Sequence, residues 1–312
     1  MLETIWSNCA LPPRLRPGDT IAVPAPAGPV PRDRFQAGLE ILKSRYRVVY
    51  DEGLFAVSGF LAGDDTRRAE ELNRYLRDRD VRGIVCARGG YGTLRILSAL
   101  DGDALRRDPK VIVGFSDLTA LHAFCAVSGG VRSVHGPTVT HLGELPARDA
   151  TWLFRVLEDP APIGELPGVL APIGVASAAP IRGPLVGGNL EVLSRLLGTP
   201  WQLPLAGAVF FVEDIGERPY RIDRTLTQLR LAGALYGVAA AIVGDLTRCA
   251  EPDGSPPTAL EVFAERLASF GLPGLSGAPI GHGDRNLAVP MGARCLVDFA
   301  AQRVVIEEAA VA

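Results

Sequence analysis

Three apolar runs in the first half of the chain dictate most of what it can fold into: TIAVPAP (20–26), GIVCARGG (83–90) and VIVGFSD (111–117). Each is continuous rather than alternating, so both faces of each strand are expected to be buried. Each breaks at proline, glycine or serine, and a helix-like stretch follows. Strands buried on both faces and joined through helices require a parallel sheet with helices on either side.

The helical stretches fit this plan. PRDRFQAGLEILKSR (31–45) sets Phe35, Leu39 and Leu42 on one face, and DDTRRAEELNRYLRDRD (64–80) does the same with Leu72 and Leu76. The second begins with an aspartate three residues before an arginine rather than with a capping box. YGTLRILSAL opens another helix, LTALHAFCAVSGG is stopped by glycines, RSVHGP is a short strand, and ARDATWLFRVLEDP ends at Pro160. The order resembles a flavodoxin-like or Rossmann-like doubly wound domain, whose ligands bind beyond the carboxyl ends of the strands. Composition then shifts to Pro, Gly and Ala over 157–185, which reads as a connection with short extended pieces. The remainder predicts a less regular mixed α/β domain: a helix in GGNLEVLSRLLGTP, a strand in AGAVFFVEDIGERPY, a helix over RIDRTLTQLRLAGAL with Ile222, Leu226 and Leu229 in register, then further strands and one more helix. The expected division is an N-terminal domain at 1–157, a linker at 158–182 and a C-terminal domain at 183–312. No repeat of 20 to 50 residues is present.

Composition excludes several classes. The 312 residues carry a net charge of −3 with both signs scattered, so no basic stripe supports nucleic-acid or membrane-surface binding. No apolar run approaches the ~20 residues of a membrane span, and the N-terminus, with acidic Glu3, lacks the order of a secretory signal. The five cysteines are dispersed without a CxxC, which argues against a disulfide framework or zinc site and fits a reducing cytoplasm. Cys86 and Cys125 lie in apolar surroundings and read as core. His135 and His141, six apart, lack helical ligand spacing.

Four segments could carry chemistry. Ser116 of GFSD stands where a strand meets a helix. It reads either as a residue at a helix start, with Asp117 able to supply the cap, or as a nucleophile on a tight elbow with helix N–H groups nearby. Leu118 occupies the position of the last glycine in the hydrolase pattern G-x-S-x-G. RGGYG (88–92) is either an ordinary turn or a backbone donor beside Ser116, and it matches no dinucleotide or P-loop pattern. Glu213 ends an apolar strand, where a carboxylate is often merely solvated, and Asp214, Glu217, Arg218 and Arg224 could form an ion-pair network around it. His282 lies in a loop between two glycines, unlike a packed core histidine, and could serve as a general base. Ser116, Glu213 and His282 supply a nucleophile, a carboxylate and a base, and triads recur in unrelated chain orders.

Over residues 16 to about 300, the segments RPGDTIAVPAPAG, FLAGDDTRRAEELN, CARGGYGTLRIL, VIVGFSDLTAL, HGP, GPLVGGNLEVLSRLLGTPW, FVEDIGERPYRIDRTLTQL and PIGHGDRNLAVPMG resemble the L,D-carboxypeptidase family of serine peptidases, which includes muramoyltetrapeptide carboxypeptidase. The resemblance implies an N-terminal flavodoxin-like domain, a smaller mixed α/β C-terminal domain and an active site in the interdomain cleft. It places the family's triad on Ser116, Glu213 (not Glu217) and His282, with oxyanion donors from the backbone of Asp117 and Gly90. Arg88 and Arg218 are candidates to receive the terminal carboxylate of a substrate, with Gly89 and Tyr91 as further contacts. The implied reaction is hydrolysis of the amide before a terminal D-amino acid, releasing D-alanine from murein tetrapeptides in cytoplasmic cell-wall recycling, without metal or cofactor. A homodimer is implied as well. A related branch confers immunity to microcin C by cleaving an amide in a peptide-nucleotide; the compact VEDIGERPYRIDR segment and the lack of an added aromatic loop resemble the murein branch instead. A longer N-terminal lead (1–13) departs from the family pattern. Outside enzymes, the same residues could form a noncatalytic two-domain ligand-binding module.

Overall fold

The computed structural model describes residues 5–312; the first four residues, including Glu3 and the start of the N-terminal lead, lie outside the described residues. The chain forms two compact units. The first is Met1–Pro160 with two later returns, Leu287–Pro290 and Ala310–Ala312; the second is Ala161–Asn286 with Met291–Ala309. Both returns fall within the stretch that the sequence reading assigns wholly to a C-terminal domain.

In the first unit the strands are β1 (Thr20–Ala22), β2 (Arg47–Val49), β3 (Val81–Val85), β4 (Val111–Gly114) and β5 (Val134–His135). They lie in the order β2-β1-β3-β4-β5, and all four pairings are parallel. This is the flavodoxin-like winding, whose topological switch point falls between β1 and β3. β3 and β4 are almost wholly buried, as their unbroken apolar runs require. The helices Arg32–Lys43 and Asp65–Arg77 bury the faces read from the sequence, Phe35, Leu39 and Leu42 on one and Leu72 and Leu76 on the other. Asp64 caps the second by accepting the Arg67 N–H at 2.8 Å. The described part of the N-terminal lead belongs to this unit. Trp6 is buried, Ala10 donates to the Gly130 carbonyl, and Pro12 accepts from Ala312 at the C-terminus.

The second unit begins with β6 (Gly164–Glu165), β7 (Ala171–Gly174), β8 (Ile181–Asn189), β9 (Val209–Ile215), β10 (Ala240–Thr247) and β11 (Pro273–Ser276). The chain then passes through β12 (Val289–Pro290), which pairs antiparallel with β5 of the first unit's sheet, before β13 (Arg294–Asp298) and β14 (Arg303–Ile306) complete the second sheet. Its order is β6-β14-β13-β8-β9-β10-β11-β7. The centre, β8 to β11, is parallel, and the flanks are antiparallel. The Pro- and Gly-rich stretch after 157 supplies both edge strands, β6 and β7. Edges are where strands tolerate proline, because one row of N–H groups needs no ladder partner.

All five cysteines are buried free thiols, and burial pushes those of Cys86 and Cys125 up, out of the reactive range. Among the described residues, no helix is long and apolar enough to cross a membrane.

Candidate active site

The serine corner is strained. Ser116 has φ +65°, a left-handed conformation that costs a residue with a Cβ about 1–3 kcal/mol and persists only where the surroundings impose it. Phe115 before it is extended, and Ser116–Leu118 form one tight turn that runs into the helix Thr119–Phe124. No side chain caps that turn, so neither Ser116 nor Asp117 is the helix cap the sequence allowed. The missing last glycine of the hydrolase pattern has a steric explanation. Leu118 folds back over Gly114, where an added Cβ would come within 2.8 Å of the Leu118 Cβ. The room for the elbow is therefore made at 114, and 118 is released to be a core leucine.

Asp117 turns away from its own helix. Its buried carboxylate accepts the Thr93 N–H at 2.8 Å, at the first turn of the helix Thr93–Ile96 that follows RGGYG. Burial raises its pKa, opposed by hydrogen bonds from Thr93 and Gly92 and by the charge of Arg68. The residue after the serine thus ties the serine turn to the glycine turn.

The loops after β1, β3 and β4 converge at the switch point. Gly28 N–H donates to the Gly89 carbonyl at 3.0 Å, and a Cβ on Gly89 would lie 2.9 Å from that of Ser116. Gly90 faces Gly28 instead. Gly89 is therefore the glycine whose α-carbon lies against the serine. Arg88 donates to the Pro29 carbonyl, pinning the loop after β1, and its half-burial lowers its pKa. Tyr91 is exposed and packs edge-on against Phe60 at 5.3 Å between ring centroids.

Below the serine, buried His122 bridges Ser133 Oγ and the Gly114 carbonyl, each at 2.8 Å. A carbonyl only accepts, so Nε2 carries the proton and Nδ1 accepts from the serine hydroxyl. Burial depresses its pKa to about 4, against the opposing effect of the Gly114 bond. The ring stays neutral at physiological pH and fixes the strand end two residues before Ser116.

The second unit holds the other candidates. Glu213 is near the end of β9, opposite Asn189 of β8, and is wholly buried rather than solvated. His282 Nδ1 lies 2.6 Å from Glu213 Oε2. The ionised carboxylate only accepts, so Nδ1 donates and Nε2 is left as the basic nitrogen. Burying the partner carboxylate strengthens the bond, because no water competes for it. The glycine before the histidine is required by this contact. Gly281 has φ +127°, and a Cβ there would sit 2.9 Å from Glu213 Oε2. Its N–H donates to Asn286 Oδ1 at 3.1 Å. Gly281→Ala is expected to displace the imidazole and to abolish the downfield proton resonance of the His282–Glu213 hydrogen bond, with the melting temperature shifted by only a few degrees. An unchanged resonance would disprove the contact.

Asp214 is held by hydrogen bonds rather than by the ion-pair network considered around Glu213. Asp214 accepts from Asn189 Nδ2 (3.0 Å), Ile215 N–H (2.8 Å) and Glu191 N–H (3.1 Å). Burial, and secondarily the charge of Glu213, push its pKa from 3.8 up to about 7 against those three bonds. A carboxyl raised on folding contributes stability at low pH and loses it as pH rises towards that value. Glu217 pairs with Arg221 at 3.7 Å, Arg224 lies over the Tyr220 ring, and exposed Arg218 precedes the helix Pro219–Leu231. Sequence reading missed His122, Asn189, Asp245 and Asn286 as site residues, and it took Asp214 only as an ion-pair candidate. Among the described residues, no group of three or more His, Cys, Asp or Glu side chains is arranged to hold a metal ion.

Sequence comparison decides the family. The LD-carboxypeptidase N-terminal domain matches residues 21–136, and the LD-carboxypeptidase C-terminal domain matches 182–297. The chain belongs to the LD-carboxypeptidase family. Within it, a putative carboxypeptidase of Synechocystis is 36% identical over 95% of this chain and 97% of its own. A probable murein peptide carboxypeptidase of Bacillus subtilis is 35% identical over 98% and 97%. Among solved structures, an active-site mutant of the microcin C7 self-immunity protein MccF superposes with a TM-score of 0.89 at 25% identity, over 97% of this chain and all of that one. This LD-carboxypeptidase relative is therefore a peptidase with the fold of its family.

Proposed function

We propose that the chain is a serine L,D-carboxypeptidase that releases D-alanine from murein tetrapeptides, with Ser116 as nucleophile, His282 as general base and Glu213 as the carboxylate that orients it. The observation that carries the reading is the 2.6 Å bond between His282 Nδ1 and the buried Glu213 carboxylate. It fixes the tautomer in which Nε2 can take a proton from a serine hydroxyl, and it stabilises the imidazolium that results. The strained φ of Ser116 supports the same reading, since an elbow holds the hydroxyl clear of the helix it precedes.

In this mechanism Ser116 Oγ gives its proton to His282 and attacks the carbonyl of the L-centre of the diamino acid. The oxyanion is received by backbone N–H groups, with those of Asp117 and Gly90 as the proposed donors, each worth about 3 kcal/mol. The imidazolium then protonates the departing D-alanine amine, and water hydrolyses the acyl-enzyme. Arg218, exposed, is the better candidate for the substrate carboxylate, because Arg88 is already committed to the Pro29 carbonyl. The proposed setting is cytoplasmic recycling of cell-wall peptides.

The likeness to MccF, which has been solved in complex with aspartyl sulfamoyl adenosine, favours one second reading, the same acyl transfer on an acyl-sulfamoyl nucleotide. Incubation with L-Ala-D-Glu-diaminopimelate-D-Ala is expected to yield free D-alanine and the tripeptide. Hydrolysis of an acyl-sulfamoyl nucleotide with the tetrapeptide left intact would overturn the murein reading in favour of the second. Inertness towards both, with Ser116 unreactive to a fluorophosphonate, would favour a binding module.

A further inference from the structure

We propose that Asp245 is a positioning residue for the His282 imidazole: it holds the main chain of the 281–283 loop while Glu213 holds the ring. The inference rests on His282 acting as the base. Its starting point is an irregularity in the sheet. β10 pairs with β9 at Val243↔Val212 and resumes at Leu246↔Asp214, so Gly244 and Asp245 together oppose Glu213 alone. Such a bulge bends the strand and re-aims a side chain. Here it aims Asp245 at the histidine loop. The Asp245 N–H donates to the Ile280 carbonyl at 2.9 Å, and Oδ2 accepts the Gly283 N–H at 3.2 Å. One residue thus binds the chain on both sides of His282. The approach explains the second glycine of the GHG loop, since a Cβ on Gly283 would come within 2.6 Å of the Asp245 carboxyl.

The groups that act on Asp245 are Glu213 from β9 and His282 and Asp284 from the loop. Burial raises its pKa from 3.8 to about 6; the Gly283 bond opposes this, Glu213 and Asp284 add to it, and His282 opposes it. Above about pH 6 the loop therefore rests on a charged acceptor, and below it on a neutral one.

Two readouts test the role: the rate at which a fluorophosphonate labels Ser116, and the downfield proton resonance of the His282–Glu213 hydrogen bond. Asp245→Ala removes the acceptor and is expected to slow labelling about 10-fold or more and to abolish the downfield proton. Asp245→Asn keeps an oxygen for the Gly283 N–H and loses only the charge. It should retain the proton, label about threefold more slowly than wild type at pH 8, and match it at pH 5. Wild-type labelling rates in Asp245→Ala, or an Asn variant as slow as Ala at both pH values, would overturn the proposal. If the Ala variant fails to fold, the Asn variant decides alone: a deficit that closes as pH falls through about 6 supports the role, and a constant deficit contradicts it. The downfield proton needs no reactive serine. A wild-type Ser116 that resists labelling would therefore count against the catalytic reading, and loss of the proton in Asp245→Ala would still decide this one.

Discussion

Replacing Ser116 by alanine is expected to lower kcat for D-alanine release by at least about 10⁴-fold while leaving the fold and tetrapeptide binding intact. A left-handed serine at the end of β4 is held there by its neighbours, with Leu118 folded over Gly114, Asp117 tied to Thr93 and Gly89 packed against Ser116. None of these contacts uses the hydroxyl, so its removal deletes the nucleophile and little else. Circular dichroism should be unchanged, and the affinity for tetrapeptide measured calorimetrically should fall by no more than a few-fold. A variant that keeps even a hundredth of wild-type turnover would show that another group attacks.

Glu213→Gln should come close to this, with kcat reduced about 10³- to 10⁴-fold and KM little changed. Glutamine is nearly isosteric, but its amide can present N–H to His282 Nδ1. That nitrogen must then accept, the ring proton moves to Nε2, and the imidazole no longer takes a proton from serine. Because Glu213 is wholly buried, the neutral replacement should not lower the melting temperature. Steady-state kinetics and thermal melting of the same preparation check both halves. A large loss of stability with kcat preserved in the folded fraction would show the glutamate to be structural.

Much of the fold is legible in the chain because its strands are buried on both faces and its helices on one. The runs around Ile21, Ile84 and Ile112 leave few alternatives to a parallel sheet, and Leu72 and Leu76 lie inward as their spacing requires. The edges were less legible. The Pro- and Gly-rich segment after 157 looks like a passage between domains, yet it supplies β6 and β7, because edge strands obey weaker rules than central ones. The candidate site was less legible: a serine at a strand–helix corner and a histidine between glycines stood out, but each had an ordinary structural reading, and only the family resemblance joined them with Glu213. It was illegible where a polar residue acts through a fold-level contact. Asp117 caps a helix 24 residues upstream, and Asp245 reaches the histidine loop only because β10 carries a bulge. Glu213 was ambiguous from sequence because a carboxylate ending an apolar strand is usually at the surface, and only the packed sheet shows it buried.

The most direct test of the central claim is to treat the wild-type protein with a fluorophosphonate probe, with and without excess murein tetrapeptide, and to map the adduct by peptide mass spectrometry. A single adduct is expected on Ser116, slowed by the tetrapeptide and nearly abolished in Glu213→Gln. An adduct on another residue, or no adduct on a folded protein that still consumes tetrapeptide, would contradict the claim.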